Sequence, residues 1–539
     1  MSGVSRRHFL YGTLLAGALP RGGFGSVVSL KALGYQSPND KLNIAGIGVG
    51  GRASADLNGV STENIVALAD VDASAVAAGK QRYANAVTYS DYRQMLDKQA
   101  KGIDAVVIAI PDHMHGPAAL ASMQLGKHVY VEKPLVRTPW EARTLADAAV
   151  TYKVATQMGN QGYSHEATRM AAEILWSGEI GEVREVHAWQ GRASWPQGAA
   201  LQTIPPPEPV PPTLNWDAWL GPAEFRPYTS GGAKGGNGFY LPFNWRGHFD
   251  FGTGGLIGDW GIHILGPANV GLRLGAPTSV ECVKQEGTSP FAIPDKMHIR
   301  WEFPARGSMP PVTVNWYVDY PSETSRDAYL PPGMTVEQAR AIPGTGPEVS
   351  NATVGGGARG GGRAGGRGAD GAAGAGGRGA RGGGGRGAAA AAAGDAQAAI
   401  AAAGGGRGGG RGGGGLPASG YNQIFVGSKG YLGTNGRGEG VGLLPGERWA
   451  NYSAPRRYLT RSPGHYNDWV RACKGGDPAC SNFAIAGPYN EWVSLGAIAL
   501  RAPGKLTWDA RNLRFTGANA AEANKYVKPY ERKGWEMTL

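Results

Sequence analysis

The residues Asn43-Ile-Ala-Gly-Ile-Gly-Val-Gly-Gly51 decide the fold of this chain. Their apolar beginning has the length and composition of a buried parallel strand, and three glycines follow in the spacing G-x-G-x-x-G. A helical pattern starts at Arg52, and a second apolar run ends at Asp70, nineteen residues after Gly51. This order of strand, glycine turn, helix, strand and acid is typical of a dinucleotide-binding site.

Each part of this motif has a physical role toward a dinucleotide. Glycines leave room for the pyrophosphate beside a tight turn, and the start of the helix offers free N–H groups and a positive dipole end. The carboxylate of Asp70 can accept hydrogen bonds from both ribose hydroxyls and would repel a 2′-phosphate, so we expect NAD rather than NADP. Asp72 is a second candidate for the ribose contact, and an ordinary tight turn is the alternative explanation. The expected cofactor contacts here are Gly46, Gly48, Gly50, Gly51, Arg52 and Asp70.

The positive charge of the chain is unevenly distributed. The formal net charge is +11, of which four charges lie in the first 34 residues and six in residues 354–415. The rest of the chain is therefore nearly neutral, which argues against a general surface for polyanions. We expect no nucleic-acid partner, and 539 residues are enough for two domains.

The three cysteines do not form a recognisable ligand or disulfide pattern. Cys282, Cys473 and Cys480 include no C-x-x-C pair and no histidine at metal-ligand spacing. We therefore predict neither a disulfide framework nor a metal site. A single bridge between Cys473 and Cys480 stays open if the protein lies outside the cytosol.

The N-terminus resembles a bacterial twin-arginine export signal. The run Ser5-Arg6-Arg7-His8-Phe9-Leu10 precedes a weakly apolar stretch, 11–19, which is too short for an ordinary membrane span. We expect residues 1–36 to be this signal and a linker, and the protein to reach the periplasm or the medium with no stable membrane anchor after processing. A frayed basic terminus is the alternative.

From Leu42 onward, apolar runs alternate with helical patterns, as in a doubly wound parallel sheet. This alternation ends near Gly162, so we place the nucleotide-binding domain at residues 37–162. The predicted strands after Asp70 are 104–110, 128–131 and 154–158. The predicted helices are 73–83, 92–99, 115–126 and 138–152.

Three motifs in this order resemble the Gfo/Idh/MocA family of NAD(P)-dependent sugar and polyol oxidoreductases. They are the glycine turn, Glu132-Lys133-Pro134 and Asp259-x-x-x-His263, and the resemblance covers about residues 40–350 and 416–530. It implies a Rossmann domain followed by an α+β domain with an open, mainly antiparallel sheet. It also implies a carbohydrate substrate and a homo-oligomer, either a dimer or a tetramer.

The second domain is interrupted by a segment of unusual composition. Residues 354–415 are almost wholly Gly, Ala and Arg, with no aromatic residue and one isoleucine, so they cannot bury enough apolar surface to offset the entropy of ordering. We predict a disordered insertion between two parts of the substrate and oligomerisation domain, 163–353 and 416–539. RNA binding by the arginines is disfavoured, because stacking aromatics are absent.

The second domain has its own predicted elements. Its strands are predicted at 182–189, 278–285, 297–303, 312–317, 421–426 and 430–433, and its helices at 165–177, 256–274, 465–473 and 489–500. The loop-rich region 189–245 concentrates aromatic residues, and Trp195 is the one that we expect in a sugar-binding wall. Packing of these rings onto the sheet is the alternative.

Lys133 and Glu132 follow a strand at the edge where ligands of parallel sheets gather. An ammonium group there can hydrogen-bond the reacting hydroxyl, stabilise negative oxygen and, with a lowered pKa, exchange the proton. Glu132 is expected to orient Lys133 or to contact the nicotinamide ribose. A surface lysine in a turn is the alternative.

Asp259 and His263 lie four residues apart, which places both on one face of a helix. An imidazole is the natural proton acceptor near neutral pH, and a carboxylate one turn away can orient it or bind substrate. We predict His263 as general base or substrate contact, together with Asp259. A helix-surface contact without catalytic function is the alternative.

Further contacts are expected around these groups. The resemblance implies that the turn Pro111-Asp-His-Met-His115 approaches the cofactor, through Pro111 and His115. Asn160 and Gln161 follow the last strand of the first domain, and we expect Asn160 near substrate and Gln161 near the cofactor. Arg246 and His248 are candidate substrate hydrogen-bonders.

These observations predict an exported oxidoreductase that transfers a hydride between nicotinamide and a secondary hydroxyl of a sugar, polyol or glycoside. A first alternative is an NAD-dependent glycosidase or lyase that oxidises its substrate transiently and then eliminates. The glycoside-cleaving members of the family resemble a different motif without the lysine, so Lys133 favours net oxidoreduction. A second alternative is a sugar sensor without catalysis, which the joint presence of Lys133, Asp259 and His263 disfavours.

Overall fold

A computed structural model describes residues 40–232, 238–319, 421–450 and 452–539. The predicted export signal and the Gly/Arg-rich insertion lie outside these residues. All elements below belong to one compact unit, Lys41–Leu539. Within the described residues, no helix combines the length and the apolarity that a membrane crossing requires.

The first sheet has six parallel strands in the order β3-β2-β1-β4-β5-β6. The strands are β1 (Asn43–Ile47), β2 (Asn64–Ala69), β3 (Val87–Tyr89), β4 (Ala105–Ile108), β5 (His128–Val131) and β6 (Thr156–Met158). The strand order reverses between β1 and β4, and a parallel sheet binds its ligands at such a switch point. This topology confirms the predicted doubly wound sheet and brings the glycine turn after β1 to that point.

Five helices connect these strands, and their starts follow from local capping. They are α1 (Gly51–Gly59), α2 (Ala73–Arg82), α3 (Tyr92–Gln99), α4 (Asp112–Gln124) and α5 (Pro139–Tyr152). Thr138 and Glu141 form a reciprocal capping box before α5, with Pro139 at the first helical position. Helix α4 begins three residues earlier than predicted, because Pro111 ends the preceding turn and serves as its N-cap residue.

The second sheet has nine strands in the order β13-β12-β11-β7-β10-β9-β8-β14-β15, and only the pair β7–β10 is parallel. Its strands are β7 (Val183–Gln190), β8 (Ser279–Glu286), β9 (Lys296–Phe303), β10 (Val312–Val318), β11 (Gln423–Gly427), β12 (Gly430–Thr434), β13 (Val441–Leu444), β14 (Lys505–Asp509) and β15 (Arg514–Thr516). The predicted mainly antiparallel sheet is confirmed. The strands β13, β14 and β15 were not predicted, and neither was the three-residue strand β3 at the edge of the first sheet.

The single helix predicted over 256–274 is wrong. The structure has a π-helical turn, Ile257–Gly261, followed by two short helices that we number below. The backbone N–H of Gly258 donates to the carbonyl of Thr253, five residues earlier, at 2.8 Å. A Cβ atom at Gly258 would collide with Thr253, so glycine at this position allows the two residues to come this close. π-helical turns are rare overall, but many of those that occur lie at functional sites.

Helices of the second half pack on both sheets. They are α6 (Glu166–Ser177), α7 (Trp216–Leu220), α8 (Ile262–Ile264), α9 (Gly266–Gly271), α10 (Gly446–Ala450), α11 (His465–Cys473), α12 (Phe483–Ala499) and α13 (Ala520–Asn524). Tyr466, Trp469 and Cys473 of α11 belong to the hydrophobic core around β1 and β2. The C-terminal segment therefore completes the nucleotide-binding domain as well as the second sheet. The three cysteines are free, so the open Cys473–Cys480 bridge is not formed.

Candidate active site at the carboxyl edge of the parallel sheet

The predicted cofactor residues meet at the carboxyl edge of the six-stranded sheet. Each follows a different strand: Gly48 after β1, Asp70 after β2, Pro111 after β4, Glu132 and Lys133 after β5, and Gln161 after β6. This is the edge where open parallel sheets bind ligands. The topology thus brings together residues that are spread over more than 110 positions of the sequence.

The glycine turn leaves an open cradle in front of α1. Gly48 has a φ of +87°, and a Cβ atom there would overlap the carbonyl oxygen of Ala109, so only glycine fits. A Cβ atom on Gly51 would meet no atom within 4 Å, and Gly50 precedes the helix. Gly46 instead faces the core, where Leu57 lies 3.1 Å from its would-be Cβ. The turn therefore offers space and helix N–H groups to a phosphate.

Asp70 is fixed at the end of β2. Its Oδ2 accepts the backbone N–H of Val49 at 2.8 Å, and its Oδ1 accepts that of Asp72 at 3.0 Å. Burial raises the pKa of Asp70 above its ordinary value, although these hydrogen bonds act in the opposite direction. The side chain of Asp72 caps α2 by accepting the N–H of Ser74 at 2.8 Å, so Asp70 is the better placed of the two candidates for a ribose.

Arg52 links the glycine turn to the turn after β5. Its Nε donates to Glu132 Oε1 at 2.9 Å, and its Nη2 lies 2.7 Å from Asp56 Oδ1. The same Nη2 donates to the hydroxyl of Tyr466 on α11 at 3.0 Å. The Arg52 side chain is 45% exposed. The hydroxyl of Tyr466, a residue that sequence reasoning did not identify, helps to hold it in place.

Glu132 is buried and organises its neighbours. Its Oε2 accepts the backbone N–H of Lys133 at 3.0 Å, and its Oε1 accepts the Nε2 of Gln161 and the hydroxyl of Tyr130, both at 3.3 Å. The carboxylate therefore orients the turn that carries Lys133, as the sequence predicts. The same contacts tie Gln161 to the cofactor edge.

Lys133 and Asp259 form a close ion pair between the two domains. Lys133 Nζ lies 2.6 Å from Asp259 Oδ1 and donates to the backbone carbonyl of Asp259 at 3.0 Å. Arg246 Nε lies 3.4 Å from the same Oδ1. Burial would raise the pKa of Asp259, but the positive charges of Lys133 and Arg246 outweigh it and hold that pKa below its usual value. Asp259 is therefore a carboxylate with two cationic partners.

His263 is a buried and neutral imidazole. Among the described residues its Nδ1 has no hydrogen-bond partner. Burial lowers the pKa of His263 well below its usual value, and the charges of Lys133, Arg437 and Arg52 lower it further. A neutral imidazole has one ring nitrogen without a hydrogen, which can accept a proton or a hydrogen bond.

His115 joins two of the turns at this edge. Its Nδ1 lies 2.7 Å from the carbonyl oxygen of Pro134, and its Nε2 lies 2.7 Å from that of Ile110. The side chain is buried. These contacts favour a positioning role for His115 over the cofactor contact that the sequence predicts, while Pro111 stays at the edge beside it.

Three of the predicted substrate residues differ in their surroundings. Asn160 is buried and accepts a hydrogen bond from Ser481, while its Nδ2 has no partner among the described residues. Trp195 is buried and donates to Gln197 Oε1 at 3.0 Å. His248 is buried against stacked Phe291, and burial lowers its pKa to about 4. The structure thus gives Trp195 and His248 packing roles, because both rings are enclosed by the loops around them.

The aromatic region also covers the ribose side of the site. The N–H of Ala73 donates to the carbonyl of Thr213, and the N–H of Asn215 donates to that of Val71, both at 2.8 Å. These bonds pair Thr213–Asn215 with the segment directly after Asp70. Several aromatic residues beneath form one buried cluster: Trp216, Trp219, Tyr240, Trp245 and Phe251. The packing alternative therefore holds for these rings.

Two segments of the chain match known family models. Residues 41–160 match the one described as the oxidoreductase family's NAD-binding Rossmann fold, and residues 182–291 match its C-terminal alpha/beta domain. Both models are those of the Gfo/Idh/MocA family, and together they match less than half of the chain. The predicted resemblance is confirmed over the two Gfo/Idh/MocA segments, and the fold agrees with it.

Individual Gfo/Idh/MocA relatives match over shorter stretches. Levoglucosan dehydrogenase of Pseudarthrobacter phenanthrenivorans is 30% identical over 119 residues, which are 22% of this chain and 30% of that protein. Alpha-N-acetylgalactosaminidase of Shewanella oneidensis is 29% identical over 212 residues, which are 34% and 45%. The chain thus spans less than half the length of these relatives. A crystal structure of an inositol dehydrogenase homologue from Azotobacter vinelandii, complexed with NADH and myo-inositol, is 14% identical, has a TM-score of 0.46, and covers 87% of this chain and 98% of its own.

Proposed function

We propose that this chain is an NAD-dependent oxidoreductase which acts on a secondary hydroxyl of a sugar, polyol or glycoside. The observation that carries the proposal is the grouping of Lys133, Asp259 and neutral His263 beside the glycine turn. Beside a hydride acceptor, an ammonium group can stabilise the developing alkoxide, an imidazole can take the hydroxyl proton, and a carboxylate can hold the ammonium in place. The levoglucosan dehydrogenase relative supports the substrate class.

The residues at the sheet edge fit a dinucleotide. The cradle at Gly48 would be closed by any side chain, and the space in front of Gly51 is open. Asp70 presents a fixed carboxylate where a ribose would lie, and a 2′-phosphate would be repelled there, which favours NAD over NADP. When bound, the nicotinamide supplies the hydride acceptor or donor.

In this proposal the protein's own groups handle the substrate oxygen and its proton. Lys133 Nζ donates a hydrogen bond to the reacting oxygen and stabilises the negative charge that develops there. Asp259 holds that ammonium in place through its 2.6 Å contact. The neutral imidazole of His263 takes the hydroxyl proton during oxidation and returns it during reduction. Burial of these groups strengthens each interaction by excluding water.

One assay tests this function against its alternatives. The purified chain is incubated with NAD and a panel of sugars, polyols and aryl glycosides, while NADH absorbance and released aglycone are followed. Stoichiometric NADH supports net oxidation. Aglycone without net NADH supports transient oxidation followed by elimination, which the glycosidase relative favours. Binding of sugar with neither product would contradict both and indicate a sensor.

Export and self-association belong to the proposal as well. The residues Ser5-Arg6-Arg7-His8-Phe9-Leu10 support export through the twin-arginine route. Replacing both arginines by lysine should retain the protein in the cytoplasm, and unchanged export would contradict the route. Family resemblance supports a homo-oligomer, and a monomeric mass in solution would exclude it.

A further inference from the structure

A short loop between β12 and β13 borders the candidate site. It spans residues 435–440 and is held by its own hydrogen bonds: Asn435 Oδ1 accepts the backbone N–H groups of Glu439 at 2.8 Å and of Gly440 at 2.9 Å. The N–H of Gly438 donates to the carbonyl of Asn435 at 3.1 Å. These bonds fix the backbone that carries Arg437.

The same loop is fastened to the wall of the site. The buried His165 donates from Nδ1 to the carbonyl oxygen of Arg437 at 3.2 Å. A Cβ atom on Gly436 would lie 3.2 Å from the ring of Trp260, so the loop packs closely on that indole. Trp260 lies between Asp259 and His263 in the sequence. The loop is therefore positioned relative to both of them.

The guanidinium of Arg437 lies over this indole. Its Cζ is 5.3 Å from the ring centroid of Trp260, and that ring is 6.2 Å from the ring of His263. Arg437 is exposed, and within the described residues its guanidinium forms no hydrogen bond or ion pair. The other cations of the site have carboxylate partners: Lys133 and Arg246 contact Asp259, and Arg52 contacts Glu132 and Asp56.

Arg437 therefore differs from the other cations of the site, because its exposed guanidinium has no carboxylate in direct contact among the described residues. It lies next to a partly exposed indole that can support the C–H face of a sugar ring. A planar guanidinium that is preorganised by stacking matches an anionic oxygen group in a bidentate manner.

We propose that Arg437 is a specificity-determining residue and that the substrate is a sugar which carries a carboxylate. This inference rests on the proposed function and names its substrate class. The shared chemistry is an anionic oxygen group, and a single guanidinium suits a planar carboxylate better than a phosphate, which has more oxygens to satisfy. With the reacting hydroxyl at Lys133 and His263, the carboxylate lies across the Trp260 ring.

The test uses the full chain and pairs of related sugars. Hexuronates, their parent hexoses and the hexose 6-phosphates are compared by calorimetric affinity in the presence of NAD and by KM and kcat. We expect Arg437→Gln to weaken hexuronate affinity by about tenfold to hundredfold, as for a charge-assisted hydrogen bond, and to change hexose affinity little. Arg437→Lys should restore part of the loss. Arg456, which lies over Tyr458 at 5.7 Å, provides the matched control Arg456→Gln.

Several outcomes would overturn the inference. They are equal affinity for hexuronates and hexoses, preference for hexose 6-phosphates, no binding of any hexuronate, or an equal loss in Arg437→Gln and Arg456→Gln. Arg437-dependent hexuronate binding without NADH formation would leave the inference in place and contradict the proposed function instead. Hydride transfer on neutral sugars by a wild-type protein that binds no hexuronate would support the proposed function and contradict the inference.

Discussion

Lys133 and Asp259 are separated by 126 residues, and their side chains meet at 2.6 Å. Lys133 ends a turn after β5 of the parallel sheet, whereas Asp259 lies in the π-helical turn of the second domain. The pair therefore joins the cofactor edge to the substrate side at one point. Its side chains are 16% and 14% exposed, so the contact is sheltered but reachable.

Replacing Lys133 by Ala should remove the donor to the reacting oxygen. We expect kcat to fall by about 10²–10³, the effect of losing one preorganised donor to developing negative charge. NAD affinity, measured by fluorescence titration, should be retained, because the glycine turn and Asp70 are unaffected. Unchanged turnover in Lys133→Ala would remove this residue from the mechanism.

Replacing His263 by Asn should remove the proton acceptor while keeping a polar side chain. General-base catalysis contributes about 10²–10⁴ in rate, so kcat should fall within that range. Because the pKa of His263 lies well below its usual value, the wild-type imidazole is neutral throughout the neutral range and is protonated only in acid. As the pH falls from 8 to 6.5, kcat/KM should therefore show no loss caused by protonation of His263. A His263-dependent loss that begins above pH 6.5 would contradict the assignment.

Asp70 and Asp72 offer a matched pair for cofactor preference. Asp70→Asn should weaken NAD binding and shift the ratio of NAD to NADP affinity toward NADP, because the repelling charge is lost. Asp72→Asn serves as the control, since Asp72 caps α2 and asparagine is an equally good N-cap residue. Equal shifts in both variants would show that the effect is not specific to the ribose contact.

Buried histidines should make the protein sensitive to acid. Burial lowers the pKa of His113 and of His465 to about 3, whereas an unfolded chain titrates near 6.5. Below pH 6.5 the unfolded state therefore binds more protons, and stability falls as pH falls toward 4. Each histidine contributes at most about 1.4 kcal/mol per pH unit.

His113→Gln tests this acid sensitivity. Glutamine can still donate to the carbonyl of Trp219, which lies 2.9 Å from His113 Nε2, but it does not titrate. Thermal unfolding between pH 4 and pH 7 should show a shallower loss of Tm in the variant than in the wild type. Parallel curves of Tm against pH would indicate that protonation of His113 does not cause the acid sensitivity.

Local patterns predicted the parts of the site that lie next to strands. The glycine turn, Asp70, Glu132 and Lys133 each follow an apolar run, so the topology of a parallel sheet brings them to one edge. Asp259 and His263 were found by their spacing, but the π-helical turn that carries Asp259 and the short helix α8 that carries His263 were not. Helical periodicity does not distinguish such a turn from an ordinary helix, because the difference depends on close packing at Gly258.

The remaining site residues depend on contacts across long stretches of chain. Tyr466 reaches Arg52 over 414 residues, and Arg437 reaches the site from a hairpin loop. No local signal marks either of them, since a tyrosine in a helix and an arginine in a loop are ordinary. Trp195 and His248 show the opposite problem, because rings suited to binding sugar are equally suited to filling the interior between loops.

The pairing of Thr213–Asn215 with the backbone after Asp70 has a consequence for engineering. Exchanging the nucleotide-binding domain for that of another protein would replace the partners of two backbone hydrogen bonds, Ala73 N–H to Thr213 O and Asn215 N–H to Val71 O, both 2.8 Å long. A chimera should therefore carry Thr213–Asn215 along with its new cofactor half. Crossover points chosen at Gly162 alone should give misassembled proteins, whereas hybrids that keep the two stretches from one parent should assemble.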